Sequence, residues 1–200
     1  MGISPKDFSV LQGRLSGRRP GASPAPGPSA PPVDCRRVLG IDPSLRGTGL
    51  GIVDFGTAGP SALHQETIRC PPGWTRSRCL GRIATVVRDL IARHQPRVCV
   101  VEGLFFAQNL KTAITMGEAR GAALSAVGAA EIPVYEVAPR QVKLAIVGYG
   151  GAQKIAVAKM VQRLLGLAEV PDADAADALA LALAFGNESR RRTAPGRKPL

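Results

Sequence analysis

Four carboxylates stand beside apolar segments of this chain. Asp42 directly follows one short apolar run, and Glu102 directly follows another. Asp174 and Asp177 lie three residues apart near the C-terminus, so on a helix they would share one face. Acids at the ends of buried strands are costly unless positive charge meets them, and carboxylate oxygens are the ligands that hard divalent cations prefer. In a strongly basic chain this pattern indicates metal-assisted cleavage of phosphodiester bonds.

Each acid also has an ordinary explanation when it is considered alone. Asp42 stands before a proline, and such a pair after a strand commonly forms a turn. Glu102 fits an ordinary acid at the end of a strand. Asp174 and Asp177 fit the first turn of a helix, where acids are favourable, with Asp172 as the cap. The metal site is therefore favoured by the whole pattern and not by any single acid.

The spacing of apolar residues predicts the elements that would position these acids. The predicted strands are Arg37–Asp42, Gly49–Asp54, Ala62–Arg69, Arg97–Glu102 and Pro133–Val137. The predicted helices are Trp74–His94, Asn109–Glu131, Pro139–Val147, Ala152–Leu167 and Asp174–Phe185. Three strands followed by alternating helices and strands are typical of a mixed sheet covered by helices, and so of an α/β fold.

The two ends of the chain differ from its middle in composition. Residues 20–34 contain six prolines, which prevent both helix continuation and ladder hydrogen bonds. We therefore predict a disordered extension at residues 1–35, one folded domain at residues 36–186 and a basic, disordered tail at residues 187–200. The tail has the composition of a solvated charge run, with contact to DNA as a secondary interpretation.

The overall composition restricts the partners and the compartment. A formal net charge of +11 favours a polyanionic partner such as DNA, although charge alone does not exclude a basic protein without one. The four cysteines show no metal-binding spacing, so reduced thiols in a cytosol fit better than zinc or disulfides. The sequence contains neither a membrane-spanning apolar run nor an apolar N-terminal signal. We expect a soluble, cytoplasmic protein with no membrane partner.

Five blocks of sequence, in order between residues 37 and 185, resemble the RuvC-type Holliday-junction resolvases of bacteria. The blocks are Gly40-Ile41-Asp42-Pro43 with Gly47-Thr48-Gly49, Val101-Glu102-Gly103-Leu104-Phe105, Met116-Gly117-Glu118-Ala119-Arg120-Gly121, Pro139-Arg140-Gln141-Val142-Lys143 and Asp174-Ala175-Ala176-Asp177-Ala178-Leu179. The resemblance implies a ribonuclease-H-like fold, with a mixed five-stranded sheet flanked by helices. It also implies symmetric nicking of two opposed strands of four-way junction DNA, leaving 5′-phosphate and 3′-hydroxyl ends, in recombination and repair.

The resemblance gives the four acids a common role. Asp42, Glu102, Asp174 and Asp177 match the family's catalytic and metal-binding positions, and Asp42 would be shared between two ions. Two Mg²⁺ ions per subunit, with Mn²⁺ as a substitute, would clamp the attacking and leaving oxygens of an in-line displacement. The first block departs from the family pattern, because Ser44 stands where the family usually has glycine.

The resemblance also implies side chains that contact DNA. Phe105 falls where the family places an aromatic ring against bases at the crossover, and stacking of one base contributes about 1–3 kcal/mol. The alternative is that Phe105 and Phe106 pack under the next helix, which we prefer for Phe106. Lys143 and Lys154 match basic residues near the scissile phosphate, although a single lysine is more often a solvated surface charge. Weaker candidates for contact with the DNA backbone are Arg140, Lys111 and Arg76.

Two protein partners are implied by the resemblance alone. The family is homodimeric, and a two-fold symmetric enzyme suits a junction with two symmetric strands to cut. The small residues of the predicted helix Asn109–Glu131 suit a dimer contact and close packing within the fold equally well. A branch-migration complex of RuvA and RuvB is the second expected partner.

Three other functions are compatible with parts of the pattern. Another ribonuclease-H-like nuclease, acting on RNA or on branched DNA, would share the fold and the metal site. An actin-like ATPase or sugar kinase has a phosphate loop similar to Gly40–Gly49, but such proteins need two of these domains and a longer chain. A catalytically inactive DNA-binding relative is disfavoured because all four acids are present.

Overall fold

The computed structural model describes residues 34–103, 110–191 and 199–200 of the chain. The strands in these ranges are β1 (Arg37–Asp42), β2 (Gly47–Gly56), β3 (Gly59–Arg69), β4 (Val98–Glu102) and β5 (Val134–Val137). The helices are α1 (Arg76–His94), α2 (Leu110–Ala129), α3 (Pro139–Val147), α4 (Lys154–Leu165) and α5 (Ala173–Arg191). The predicted order of strands and helices is confirmed, with small differences at most of their ends.

The strands form one mixed sheet in the order β3-β2-β1-β4-β5. The first three strands are antiparallel neighbours because short turns connect them. Strands β4 and β5 join in parallel, since a helix first carries the chain back to the other end of the sheet. The predicted mixed five-stranded sheet is therefore confirmed. The carboxyl ends of β1, β4 and β5 meet at one edge of it.

Side chains alternate between the two faces of the sheet, and each face has its own apolar core. On the first face, Leu39 and Ile41 pack against α1 and α2. On the second face, residues such as Val38 pack against α3, α4 and α5. By the same alternation, the side chains of Asp42 and Glu102 belong to the second face.

Helix α5 rests directly on the centre of the sheet because glycines leave it room. A Cβ atom at Gly40 would lie 1.9 Å from the carbonyl oxygen of Ala178, and one at Gly49 would lie 1.9 Å from that of Asp174. Any larger residue at either position would push the helix away. Gly49 also pairs with Asp42 across the β1–β2 ladder. The close contact therefore brings the start of α5 to the carboxyl end of β1.

The last helix is longer than predicted. Helix α5 continues to Arg191, past the predicted end at Phe185. Arg190 contributes to this extension: its guanidinium donates a hydrogen bond of 3.1 Å to the carbonyl oxygen of Phe55 and lies 5.8 Å from the centre of that ring. Most of the predicted N-terminal extension, residues 1–33, lies outside the described residues.

The sequence-based predictions on cysteines and membrane spans can be compared with the structure. All four cysteines are buried, free thiols. Cys99 is fully buried in β4, as predicted for a core residue. Among the described helices, none is both long enough and apolar enough to cross a membrane.

Candidate active site

Asp42 and Glu102 lie side by side at the shared edge of the sheet. Strands β1 and β4 are parallel neighbours in register, so the acids that end them occupy adjacent positions. Both side chains are half-buried. Asp177 of α5 faces the same place from above the sheet. The charged residues that line the pocket there are Asp42, Glu102, Lys143, Lys154 and Asp177.

Asp174 lies at the margin of this pocket. Its Oδ2 atom is 2.8 Å from the point that a Cβ on Gly47 would occupy, so it faces the turn between β1 and β2. Its negative charge still reaches Asp42 and helps to raise the pKa of that acid. The structure thus brings three of the four predicted acids into one pocket and leaves the fourth beside it.

Burial and like charges disfavour ionisation of the acids in the pocket. The pKa of Asp42 is raised to about 7, chiefly by burial. The negative charges of Glu102 and Asp177 contribute to this shift, and Lys154 opposes it. Burial also raises the pKa of Glu102, with the charge of Asp177 as the next cause. Perturbed carboxyl groups in a pocket are typical of catalytic and metal-binding sites.

Two lysines supply the positive charge of the pocket. Lys154, the first residue of α4, donates a hydrogen bond of 2.6 Å from Nζ to Oδ2 of Asp177. This bond raises the pKa of Lys154, while burial acts in the opposite direction. The positive charge of Lys143, on α3, lowers the pKa of Glu102. Both lysines predicted to lie near a scissile phosphate therefore lie with the carboxylates.

The acids suit a divalent cation by their chemistry, although their spacing does not enclose one. In the described part of the chain, no three acidic, histidine or cysteine side chains are grouped closely enough to hold a metal ion. A cation among these carboxylates would offset the burial and repulsion that raise the pKa of Asp42. In ligand chemistry, though not in spacing, these carboxylates therefore suit a divalent cation.

The weaker candidates for DNA contact lie outside the pocket lining. Arg140, Lys111 and Arg76 are all exposed, on α3, α2 and α1 respectively. Arg76 pairs with an acid of α2 at 3.1 Å, so part of its charge is used within the protein. Phe105 and Phe106 lie outside the described residues, and their roles stay predictions.

The serine that departs from the family pattern closes the turn between β1 and β2. Its hydroxyl oxygen accepts a hydrogen bond of 3.3 Å from the backbone N–H of Gly47. Its own N–H donates to Oγ1 of the fully buried Thr48 at 3.3 Å. Ser44 thus adds one hydrogen bond that glycine lacks, in the turn that directly follows Asp42.

One residue beside the site received no role from the sequence. Arg120 is only 9% exposed in α2, and one of its guanidinium nitrogens donates a hydrogen bond of 2.7 Å to the carbonyl oxygen of Glu102. Another forms an ion pair with Glu136. The signal in the sequence was an arginine among the small apolar residues of the buried stripe that includes Ala123 and Val127.

This fold and this pocket together define a class of protein. A mixed five-stranded sheet, with acids ending β1 and β4 and further acids on a helix packed across it, is the arrangement of ribonuclease-H-like nucleases. The chain belongs to the RuvC family, because the family model for crossover junction endodeoxyribonuclease RuvC matches residues 38–185. Membership in this family implies that the protein uses a divalent metal ion. Family membership also favours junction cleavage over the alternatives of another ribonuclease-H-like nuclease, an actin-like ATPase or sugar kinase, and an inactive DNA-binding relative.

Relatives of known name support the same assignment. Crossover junction endodeoxyribonuclease RuvC of Halorhodospira halophila is 46% identical over 160 residues, which cover 80% of this chain and 93% of that protein. The protein of the same name from Thermotoga maritima is 40% identical over 157 residues, covering 78% of this chain and 94% of the relative. The similarity thus extends over nearly the whole length of each relative.

Solved structures agree with the fold. A structure of Thermus thermophilus RuvC in complex with a Holliday junction substrate matches with a TM-score of 0.75 and 40% identity, covering 82% of this chain and 99% of that one. The yeast mitochondrial Holliday junction resolvase Ydc2 matches with a TM-score of 0.58 at 12% identity, which shows the shared fold alone.

Proposed function

We propose that this protein is a junction-resolving endonuclease that nicks two opposed strands of a Holliday junction symmetrically. The observation that carries the proposal is the pocket where Asp42, Glu102 and Asp177 face two lysines, in a chain of the RuvC family. The related Thermus thermophilus RuvC was solved with a Holliday junction substrate. The expected products are nicked duplexes with 5′-phosphate and 3′-hydroxyl ends, formed during recombination and repair.

The four acids are the proposed metal ligands. Asp42 is central because the charges of Glu102, Asp177 and Asp174 all act on it. Two Mg²⁺ ions per subunit, or Mn²⁺ in their place, would supply Lewis-acid activation of water and stabilisation of the departing 3′ oxygen. The protein contributes the rigid strand ends and the close contact of α5, which fix the carboxylates relative to one another.

Lys143 and Lys154 would offset part of the negative charge of the acids and contact a phosphate of the DNA substrate. In the structure, Lys154 is bonded to Asp177 at 2.6 Å. If Asp177 served as a metal ligand, the ammonium group of Lys154 would be available to a phosphate beside Lys143. A fixed cation next to a developing negative charge lowers the barrier most effectively where water is partly excluded.

Helix α2 offers the surface through which two subunits would pair. A Cβ atom at Gly117, Gly121 or Gly128 would meet none of the described residues within 4 Å, so packing against the described part of the subunit does not explain these glycines. Leu110 is 76% exposed and Ile114 is 49% exposed at heptad-like spacing from them. A second copy that packed on this side would cover the apolar residues and use the small ones for close contact.

Substitution of a glycine on α2 tests this dimer. Gly121→Glu adds a charge to an exposed helix position, so the subunit should fold and the dimer should dissociate. The matched control is Gly81→Glu, at an exposed position of α1 where a Cβ also meets nothing within 4 Å. Light scattering after gel filtration should show a monomer for the first variant and a dimer for the control. A dimeric Gly121→Glu protein would remove α2 from the interface.

The remaining partners and regions complete the proposal. Phe105 would stack on a base at the crossover, and Arg140 and Lys111 would contact the DNA backbone. The RuvA–RuvB branch-migration complex is the proposed protein partner, in the cytoplasm. Residues 1–35 would form an extension, and the basic residues after α5 would form a short tail with access to DNA.

The decisive experiment is cleavage of a synthetic, mobile four-way DNA junction. The full chain would be incubated with Mg²⁺, with Mn²⁺ or with chelator, and linear duplex and an RNA–DNA hybrid would be cut in parallel. Paired symmetric nicks in the junction alone, dependent on the metal, are the expected result. Cleavage of the hybrid or of the linear duplex instead would contradict the proposed substrate and indicate another activity of the ribonuclease-H-like nucleases.

A further inference from the structure

Arg120 connects helix α2 to the strand that presents Glu102. A buried guanidinium is costly unless its N–H groups are paired. Arg120 is 9% exposed and has two partners, the carbonyl oxygen of Glu102 at 2.7 Å and the carboxylate of Glu136 on β5. A planar fork of donors can hold two such acceptors at a fixed angle, which a lysine cannot do.

The contact fixes the peptide group that follows Glu102. The N–H of that peptide group belongs to Gly103 and donates to the carbonyl oxygen of Val137 at 3.0 Å. Its carbonyl belongs to Glu102 and accepts from Arg120. Because the N–H and the carbonyl of this planar peptide group are both hydrogen-bonded, the orientation of the peptide group relative to the Cα of Glu102 is fixed. That Cα carries the carboxylate which lines the pocket.

We infer that Arg120 is a positioning residue for Glu102, acting from the side of α2 while the carboxylate of Glu102 faces the pocket under α5. It fixes the main chain at the point where β4 ends, and it joins that point to β5 through Glu136. The carboxylate is thereby aimed at Asp42 for divalent cation binding. The inference rests on the proposed metal-dependent function.

The expected consequence is a loss of cation affinity. Removal of a residue that orients a metal ligand typically weakens metal binding or activity 10- to 100-fold. Arg120→Met keeps the unbranched apolar stem of the side chain and removes all of its donors. We expect the Mg²⁺ concentration at half-saturation to rise about tenfold. Arg120→Lys should lie between this variant and the unmodified protein, because one ammonium can still reach the carbonyl of Glu102.

Arg37 provides a matched control at the opposite end of the sheet. It also donates to a main-chain carbonyl, that of His94, and pairs with a carboxylate, that of Asp54 at 3.4 Å. Arg37→Met removes the same kind of contact from the start of β1 instead of the end of β4. It should lower the melting temperature and leave the Mg²⁺ half-saturation unchanged within about twofold.

Two measurements on the full chain test the inference. The first is the rise in melting temperature with added Mg²⁺, which reports cation binding without DNA or activity. The second is the Mg²⁺ dependence of junction cleavage. An Arg120→Met protein with the half-saturation of the unmodified protein in the first measurement would make Arg120 merely structural. If Arg120→Met does not fold, Glu136→Gln replaces it, with a smaller expected shift.

The first measurement separates the two proposals. Mg²⁺ binding without junction cleavage by the unmodified protein would overturn the proposed function, and the comparison of Arg120→Met with Arg37→Met would still decide the role of Arg120. Cleavage by the unmodified protein, with equal Mg²⁺ half-saturation in both variants, would overturn only the inference on Arg120.

Discussion

Asp42→Asn should stabilise the protein in the presence of chelator while it abolishes cleavage. The folded protein holds the pKa of Asp42 at about 7, against an ordinary value of 3.8, chiefly because the carboxylate is buried. At pH 8 the unmodified protein must ionise this group in the fold, at an upper limit of about 4 kcal/mol for a shift of about three pKa units. Asparagine has a similar shape and carries no charge, so it avoids this cost.

The raised pKa of Asp42 determines how the stability difference between Asp42→Asn and the unmodified protein changes with pH. Because the folded pKa of Asp42 is raised, the stabilisation from its protonated form is complete below pH 4 and is lost as the pH rises to about 7. The advantage of Asp42→Asn should therefore be largest at pH 8 and fall to less than about 2 kcal/mol at pH 5. For a chain of this size, about 1 kcal/mol corresponds to 2–4 °C in melting temperature.

Thermal unfolding at pH 5 and pH 8 in chelator is the assay, followed by addition of Mg²⁺ at pH 8. Mg²⁺ should raise the melting temperature of the unmodified protein and have little effect on Asp42→Asn, because the shared ligand is missing. Asp89→Asn is the control, since that acid is exposed on α1 beside Arg88. A melting temperature of Asp42→Asn at or below that of the unmodified protein at pH 8 would refute the electrostatic argument.

Two further predictions concern the contacts with DNA. Phe105→Ala should bind the junction but resolve it about tenfold more slowly, because a stacked base contributes about 1–3 kcal/mol; an unchanged rate in single-turnover cleavage would return Phe105 to the core. Lys154→Met should slow cleavage and weaken junction binding. Its plot of log binding constant against log salt should be less steep by about one unit, and an unchanged slope would place Lys154 away from the phosphates.

The sequence predicted the sheet and the placement of Asp42 and Glu102 because both depend on local signals. Short apolar runs predicted β1 and β4, and an acid at the end of each run placed Asp42 and Glu102 at one edge once the strands were parallel neighbours. Gly40 and Gly49 were part of the matched sequence blocks, but the sequence did not predict that they make room for α5. Their contact with the helix backbone depends on a packing between segments more than a hundred residues apart.

The details that the sequence did not give are all contacts over long separations. The bond from Lys154 to Asp177 depends on how α4 packs beside α5. Arg120 was part of a matched block, yet its partners on β4 and β5 depend on the position of α2 over the sheet. Arg190, beyond the predicted end of α5, contacts Phe55 of β2. Helix propensities describe single residues and do not predict such a tertiary contact.

The contact of α5 with Gly40 and Gly49 has a consequence for genetic screens. A search for inactive alleles should recover substitutions at these two glycines together with those at the acids, although neither glycine lines the pocket. The two groups of alleles would differ in the cell: acid variants should accumulate as intact protein and block junctions that they still bind. Glycine variants should be degraded, and so be recessive where the acid variants are dominant.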